Sequence, residues 1–142
     1  MLTHHMSEVV SHRDLDVWNV SMNLVEEIYR ATAAFPKSEL YGLTNQTRRA
    51  AVSIPSNVAE GHCRPTTGAY AHHVGIALGS HGELETCLEI ATRLAFLPQS
   101  ERDRLLATSD RVGQMLNRLH QSLERKIAEE RERDGQRRQS RH

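Results

Sequence analysis

Long apolar runs, paired cysteines, aromatic rings and net charge are all scarce in this chain of 142 residues. No stretch approaches the roughly 18 to 20 apolar residues that cross a bilayer. The opening MLTHHMSEVVSHRD has no apolar signal-peptide core, so a cytoplasmic protein is expected. The two cysteines, Cys63 and Cys87, have no CxxC spacing, which excludes a disulfide framework or a zinc ribbon and points to reduced thiols. Four prolines, eight glycines and 4% aromatics argue against a β-rich chain, and the abundant Ala, Leu, Glu and Arg argue for helices. The formal net charge is zero, which removes any whole-protein electrostatic argument for nucleic acid.

What is present is concentrated first in residues 41–64, YGLTNQTRRAAVSIPSNVAEGHCR. Leu43, Thr47, Ala50, Ile54, Val58 and Ala59 recur at three- and four-residue steps, the period of one helix face. Small residues between them would let neighbouring helices come close, which suits a helix at the centre of a bundle. Pro55 interrupts this pattern, at roughly 3 kcal/mol in a helix interior. Either the helix breaks with Ser53 capping a second one, or a single kinked helix runs on, with Ser53 or Ser56 helping the freed carbonyl. The apolar spacing stays in phase through Pro55 and favours the kink; Gly61 then supplies a left-handed stop.

On either side the chain reads as further helices. The first should begin near Arg13 or Asp14 and carry the stripe Leu15, Trp18, Met22, Val25 and Tyr29, with Leu24, Ile28 and Thr32 beside it, until Phe35-Pro36 ends it. A third, over about 68–95, is capped by Thr66 or Thr67 and contains Gly75, Gly79 and Gly82. Those glycines read either as a surface for close backbone approach or as a soft helix. After Leu97-Pro98, Ser100 and Asp103 suggest a cap for a fourth helix carrying Leu105, Val112, Met115, Leu116, Leu119, Leu123 and Ile127. The predicted fold is all-α, an antiparallel up-down-up-down four-helix bundle with a kinked second helix. Its predicted limits are a flexible segment 1–12, a bundle 13–130 and a disordered polar, basic tail 131–142. The core should include Trp18, Val25, Ile54, Leu84, Leu88 and Leu116.

Chemistry is thin. The nine histidines lack ligand spacing: His72 and His73 are adjacent, and His73 and His81 lie about 12 Å apart along a helix. No metal or cofactor is expected, and no nucleophile elbow or phosphate loop is present, so the chain does not read as an enzyme. The strongest polar set is Arg48, Arg49, Asn57, Glu60 and Arg64. Arg49, Asn57, Glu60, Glu83 and Glu85 read chiefly as interhelical pairs that fix the bundle's register. Arg48 and Arg64 read equally as structural or as phosphate contacts. From Pro98 onward there are eleven Lys and Arg against eight Asp and Glu, so the last third is locally basic. The arginines there are interleaved with glutamates and read mostly as a solvated face, only Arg137, Arg138 and Arg141 forming a locally unopposed cluster; that cluster and Arg118, Arg125 and Lys126 are the candidate nucleic-acid contacts.

The blocks FPKSELYGL, RRAAVSIPSNVAEG and GSHGELET, within a match from about Arg13 to Leu123, resemble the four-helix-bundle proteins encoded in intervening sequences of bacterial 23S ribosomal RNA genes. That family is similar to the accessory variability determinant protein of diversity-generating retroelements. The resemblance implies a ring-like homopentamer without established enzymatic activity. It also implies possible partners: RNA or DNA, and a reverse transcriptase or another protein. A protein-interaction scaffold without nucleic-acid binding is the alternative. His73 and His81 depart from the family pattern, where Phe and an apolar residue are usual.

Overall fold

A computed structural model describes residues 11–141. Four helices dominate it: α1 (Asp16–Thr32), α2 (Leu43–His62), α3 (Thr67–Arg93) and α4 (Gln99–Ser140). Each packs against the next, and α1 closes the square against α4. Cross-helix contacts fix the directions. The start of α2 meets the end of α1 through Arg48 and Thr32, and the start of α3 meets the end of α2 through His73 and Asn57. The start of α4 meets α1 through Arg104 and Glu27, while Thr67 at the start of α3 reaches Glu130 far along α4. The bundle is therefore antiparallel throughout.

The core is aliphatic and small. Ile54, Leu84, Leu88 and Leu116 are fully buried, as expected, together with Leu24, Ile28, Val58, Val74, Leu105 and Val112. On α1 the buried face is rotated from the predicted stripe. Val17, Ser21, Leu24, Ile28 and Thr32 point inward. Trp18 and Val25, expected in the core, are only half-buried, and Met22 and Tyr29 are exposed. The larger side chains sit at the rim because they have partners there. Trp18 meets the ring of His12 edge-on at 5.0 Å, and Tyr29 lies beneath the guanidinium of Arg48.

Helix ends differ from expectation in physically instructive ways. α1 starts at Asp16, after a 3-10 turn at His12–Asp14; most of the segment expected to be flexible, residues 1–10, lies outside the described residues. α2 runs unbroken through Pro55. Ser53 does not serve the freed carbonyl there; its hydroxyl accepts from Ser80 at 2.7 Å and from Asn57 at 3.0 Å, and Ser56 is exposed. Gly61 does not stop α2 in a left-handed conformation, and the helix runs on to His62. A Cβ on Gly61 would stand 2.8 Å from Cβ of His73 and 3.0 Å from the ring of Tyr70, so the glycine is there for close helix approach.

Among the described residues the left-handed one is Ala95, with φ 62°. Phe96 N–H reaches the Ala91 carbonyl at 2.8 Å and Ala95 N–H the Thr92 carbonyl at 3.0 Å, a Schellman end built without glycine. α4 begins at Gln99 behind Pro98, with no side-chain cap, rather than at a Ser100–Asp103 box. The predicted disordered tail also does not begin at residue 131. The helix continues through Ser140, 42 residues in all, or about 63 Å. Its apolar face does fade, but Glu, Arg, Gln and Ala keep the backbone helical by intrinsic preference. From residue 131 to residue 141 every position is exposed.

Candidate nucleic-acid interface

α4 carries an arginine every seven residues: Arg104, Arg111, Arg118 and Arg125. Seven residues are nearly two turns, so the four share one flank at steps of about 10.5 Å. Arg104 is held by Glu101 on its own helix and by Glu27 of α1 at 3.4 Å, which raises its already high pKa further, chiefly through the Glu101 hydrogen bond. Arg111, Arg118 and Arg125 are exposed, and their side chains make no hydrogen bond or ion pair among the described residues. Between Arg111 and Arg125, over about 21 Å, the positions three and four residues from them are Gln114, Met115, Gln121 and Ser122; carboxylates stand only at the two ends, Asp110 beside Arg111, Glu124 beside Arg125 and Glu129 one turn beyond it, and none of them pairs with these arginines among the described residues. Arg111 is the member the sequence reading missed; the seven-residue repeat was the available signal.

Lys126 is also exposed and without a side-chain partner among the described residues, and so are the side chains of Arg137, Arg138 and Arg141 at the far end. Arg137 and Arg138 lie in the last turn of α4, where positive charge complements the negative end of the helix dipole. Arg64, by contrast, is exposed at the end of α2 and ion-paired with Glu60 one turn back. Glu60 therefore pairs within its own helix end rather than across helices.

The neighbours Arg48 and Arg49 take opposite situations. Arg48 is half-buried: its Nε donates to Thr32 Oγ1 at 2.8 Å, a second nitrogen reaches the Tyr29 carbonyl at 3.4 Å, and its guanidinium lies 4.5 Å from the centre of the Tyr29 ring. It closes the carbonyl end of α1 and stacks on its last aromatic. Arg49, expected to pair with Glu83, Glu85 or Glu60, is exposed and makes no ion pair among the described residues.

Two interhelical polar clusters replace that pairing. In the first, His73 Nδ1 donates to Asn57 Oδ1 at 3.1 Å, while Asn57 Nδ2 donates to the Ser53 carbonyl and hydroxyl. In the second, Glu85 accepts from Ser109 Oγ at 2.9 Å and lies 3.3 Å from His81 Nε2, which is itself 2.8 Å from the Ser109 carbonyl. A carbonyl only accepts, so the His81 proton sits on Nε2. Gly113 makes this cluster possible, since a Cβ there would lie 2.7 Å from the His81 ring. The histidines that depart from the family pattern are thus the ones holding helices together. Among the described residues no group of three or more His, Cys, Asp or Glu could hold a metal ion.

A pocket of about 470 Å³ opens between the first half of α2 and the middle of α3. Arg49 and Glu83 line it from opposite helices, with Asn45 and Gln46 at its α2 side and the Ser53–Ser80 hydrogen bond along its wall. Tyr41 stands at its edge, 92% exposed. All three sequence blocks quoted above contribute to it. Its upper end is shaped by Gly42, which leaves room for the Glu39 carboxylate to accept from Leu43 N–H at 3.1 Å and cap α2.

The face of α3 beyond this pocket is different. A Cβ on Gly79 or Gly82 would meet nothing within 4 Å, and Ile76, Ile90 and Leu94 are exposed nearby. Within one chain, therefore, no backbone approaches these glycines.

Comparison with known proteins bears on this arrangement. A family model described as 23S rRNA-intervening sequence protein matches residues 13–118. No curated protein matches the chain. Among solved structures, the chain is similar to a protein with unknown function from the S23 ribosomal protein family of Bacteroides thetaiotaomicron VPI-5482. The TM-score is 0.66 at 19% identity, over 73% of this chain and 97% of that one, a likeness of fold.

Proposed function

The chain belongs to the 23S rRNA-intervening sequence protein family, and from that premise we propose that it is a non-enzymatic cytoplasmic accessory protein that holds RNA by its phosphate backbone. The observation that carries this reading is the free flank of Arg111, Arg118 and Arg125 on α4. Three exposed guanidiniums without an internal partner can each neutralise a phosphate, and nothing in their positions reads a base edge. The contact is therefore tolerant of sequence. Lys126 and the terminal Arg137, Arg138 and Arg141 extend the basic surface along the same helix.

Assembly would multiply this surface. The open, glycine-bearing face of α3, with its exposed Ile76 and Ile90, is the face offered to a second copy, and a homopentamer is the state the sequence resemblance implies. Five copies would repeat the α4 flank around an axis, and charges within about 8 to 10 Å would reinforce one another at physiological salt. The resemblance to the retroelement accessory proteins supports a protein partner for such a complex, a reverse transcriptase or another protein.

Fluorescence anisotropy with labelled single-stranded and structured RNA at two salt concentrations tests the reading. Wild type should bind in the micromolar range or looser, with affinity falling steeply as salt rises. Changing Arg118 and Arg125 together to Gln should weaken binding to every sequence and lower the salt slope by roughly one per lost phosphate contact. The triple change of Arg137, Arg138 and Arg141 to Gln should do the same without altering the assembly. No binding at low salt would replace this reading with that of a protein-interaction scaffold. Light scattering on a sizing column tests the assembly separately: a monomer mass would end the pentamer proposal.

A further inference from the structure

The pocket between α2 and α3 holds polar groups that the bundle does not use. Arg49 and Glu83 line the same cavity from opposite helices, and the side chains of both make no hydrogen bond or ion pair among the described residues. The side-chain amides of Asn45 and Gln46 beside them also have no hydrogen-bond partner among the described residues. Tyr41, the most exposed large hydrophobic side chain among the described residues, stands at the rim with its ring open to solvent. A groove so polar suits neither a lipid nor an apolar helix. It suits a ligand that brings together a negative group for Arg49, N–H donors for an acceptor-only carboxylate, and a flat face for the tyrosine.

We infer that this pocket receives one unpaired guanine nucleotide of a single-stranded RNA. The base stacks on Tyr41, its Watson–Crick edge faces Glu83, and its phosphate meets Arg49. Guanine is the base of choice because its N1–H and N2 amino group are adjacent donors, which a single carboxylate can accept together. Adenine and cytosine present a ring-nitrogen acceptor beside their amino group, and uracil flanks its one N–H with two carbonyls; each sets a lone pair against the carboxylate. Stacking on an aromatic ring with hydrogen bonds to the base edge is the way proteins read unpaired RNA. The inference deepens the RNA reading by adding a base-selective contact, away from α4, to a sequence-tolerant one.

The test uses the full chain with two probes. An adenine-rich RNA oligonucleotide with one central guanine, compared with its all-adenine counterpart, reports base preference by anisotropy. Guanosine and adenosine monophosphates, titrated while the Tyr41 ring is followed by NMR, report the pocket without the rest of the RNA. Guanine should bind about tenfold better in the oligonucleotide, and Tyr41→Ala should lower affinity about tenfold. Glu83→Gln should erase the preference for guanine, and Arg49→Gln should lower the salt slope by about one. Guanosine monophosphate alone should move the Tyr41 ring signals. RNA binding that is indifferent to base and to Tyr41→Ala, with the ring signals unmoved by either nucleotide, overturns the inference and leaves the phosphate contact on α4 standing. Nucleotide binding without RNA binding keeps the pocket and overturns the RNA reading; loss of both overturns both. A Tyr41→Ala protein whose assembly mass changes while nucleotides leave the wild-type ring unmoved would make the pocket a contact between copies and end the proposal.

Discussion

The two halves of α4 use the same residue for opposite ends. Near its start, Arg102 is clasped by Glu89 of α3 and by Asp103, and Arg104 by Glu101 and Glu27. Farther along, Arg111, Arg118 and Arg125 stand free. The apolar face is continuous across both halves, with Leu105, Val112, Leu116 and Leu123 all buried. What differs is the company. At the level of the first turns, α1 and α3 present carboxylates that reach the arginines; beyond it, the flank turns to solvent, and among the described residues no carboxylate pairs with Arg111, Arg118 or Arg125. An arginine's role in a bundle is thus decided by what faces it, and the count of charges along a helix is a poor guide to it.

The strongest way to break that comparison is to remove the anchor both halves share. Leu116→Ala, at a fully buried position between them, should cost roughly 2 to 5 kcal/mol in chemical denaturation. A midpoint like that of wild type would mean that α4 is not packed in this rotation. Gly113→Ala comes next. The new methyl would push the His81 ring off the Ser109 carbonyl, and about 1 to 3 kcal/mol should be lost. The paired alanine variants of Arg48 and Arg49 carry the contrast between held and free to α2. Thermal melting should show a loss of about 1 kcal/mol for Arg48→Ala, and a change within about 0.5 kcal/mol for Arg49→Ala.

The smallest effect is a matter of pH. Hydrogen bonds first from Arg93 and then from Arg102 hold the Glu89 carboxyl below its usual range. Its contribution to stability is therefore present above the unfolded carboxylate range and is lost as pH falls through the lowered folded value. Melting temperatures of wild type and Glu89→Gln should differ at neutral pH and converge on acidification. A gap that persists at acid pH would show that the clasp does not depend on the ionised carboxylate.

Much of the fold was legible because prolines and apolar periods are local signals. Pro36 and Pro98 bracket helices, and Ile54, Leu84, Leu88 and Leu116 fall where their spacing puts them. The errors have a common physical origin in contacts that no single segment contains. Gly61 reads as a stop until Tyr70 and His73 are seen against it. The stripe through Trp18 and Tyr29 looks more apolar than its neighbour, yet those rings find partners at the rim while the aliphatic Leu24 and Ile28 turn inward. The site was legible in part. Local charge singles out Arg137, Arg138 and Arg141 but not Arg118 and Arg125, whose stretch of sequence interleaves arginine with glutamate, and the division of labour between Arg48 and Arg49 depends on which side of α2 faces the end of α1. The pocket gathers residues from three separated blocks, and its convergence exists only in three dimensions.

The two thiols, Cys63 and Cys87, form no disulfide and give the molecule an unplanned use. Cys87 is buried, and burial pushes its thiol's pKa up, so little of it is thiolate at neutral pH; Cys63 is exposed where α2 ends, one residue from Arg64. A thiol-directed dye added to the folded protein will therefore attach at one position. The native sequence then serves as its own singly labelled reagent, with the reporter at one end of the bundle, and neither cysteine has to be engineered before ligand arrival or subunit exchange is followed by fluorescence.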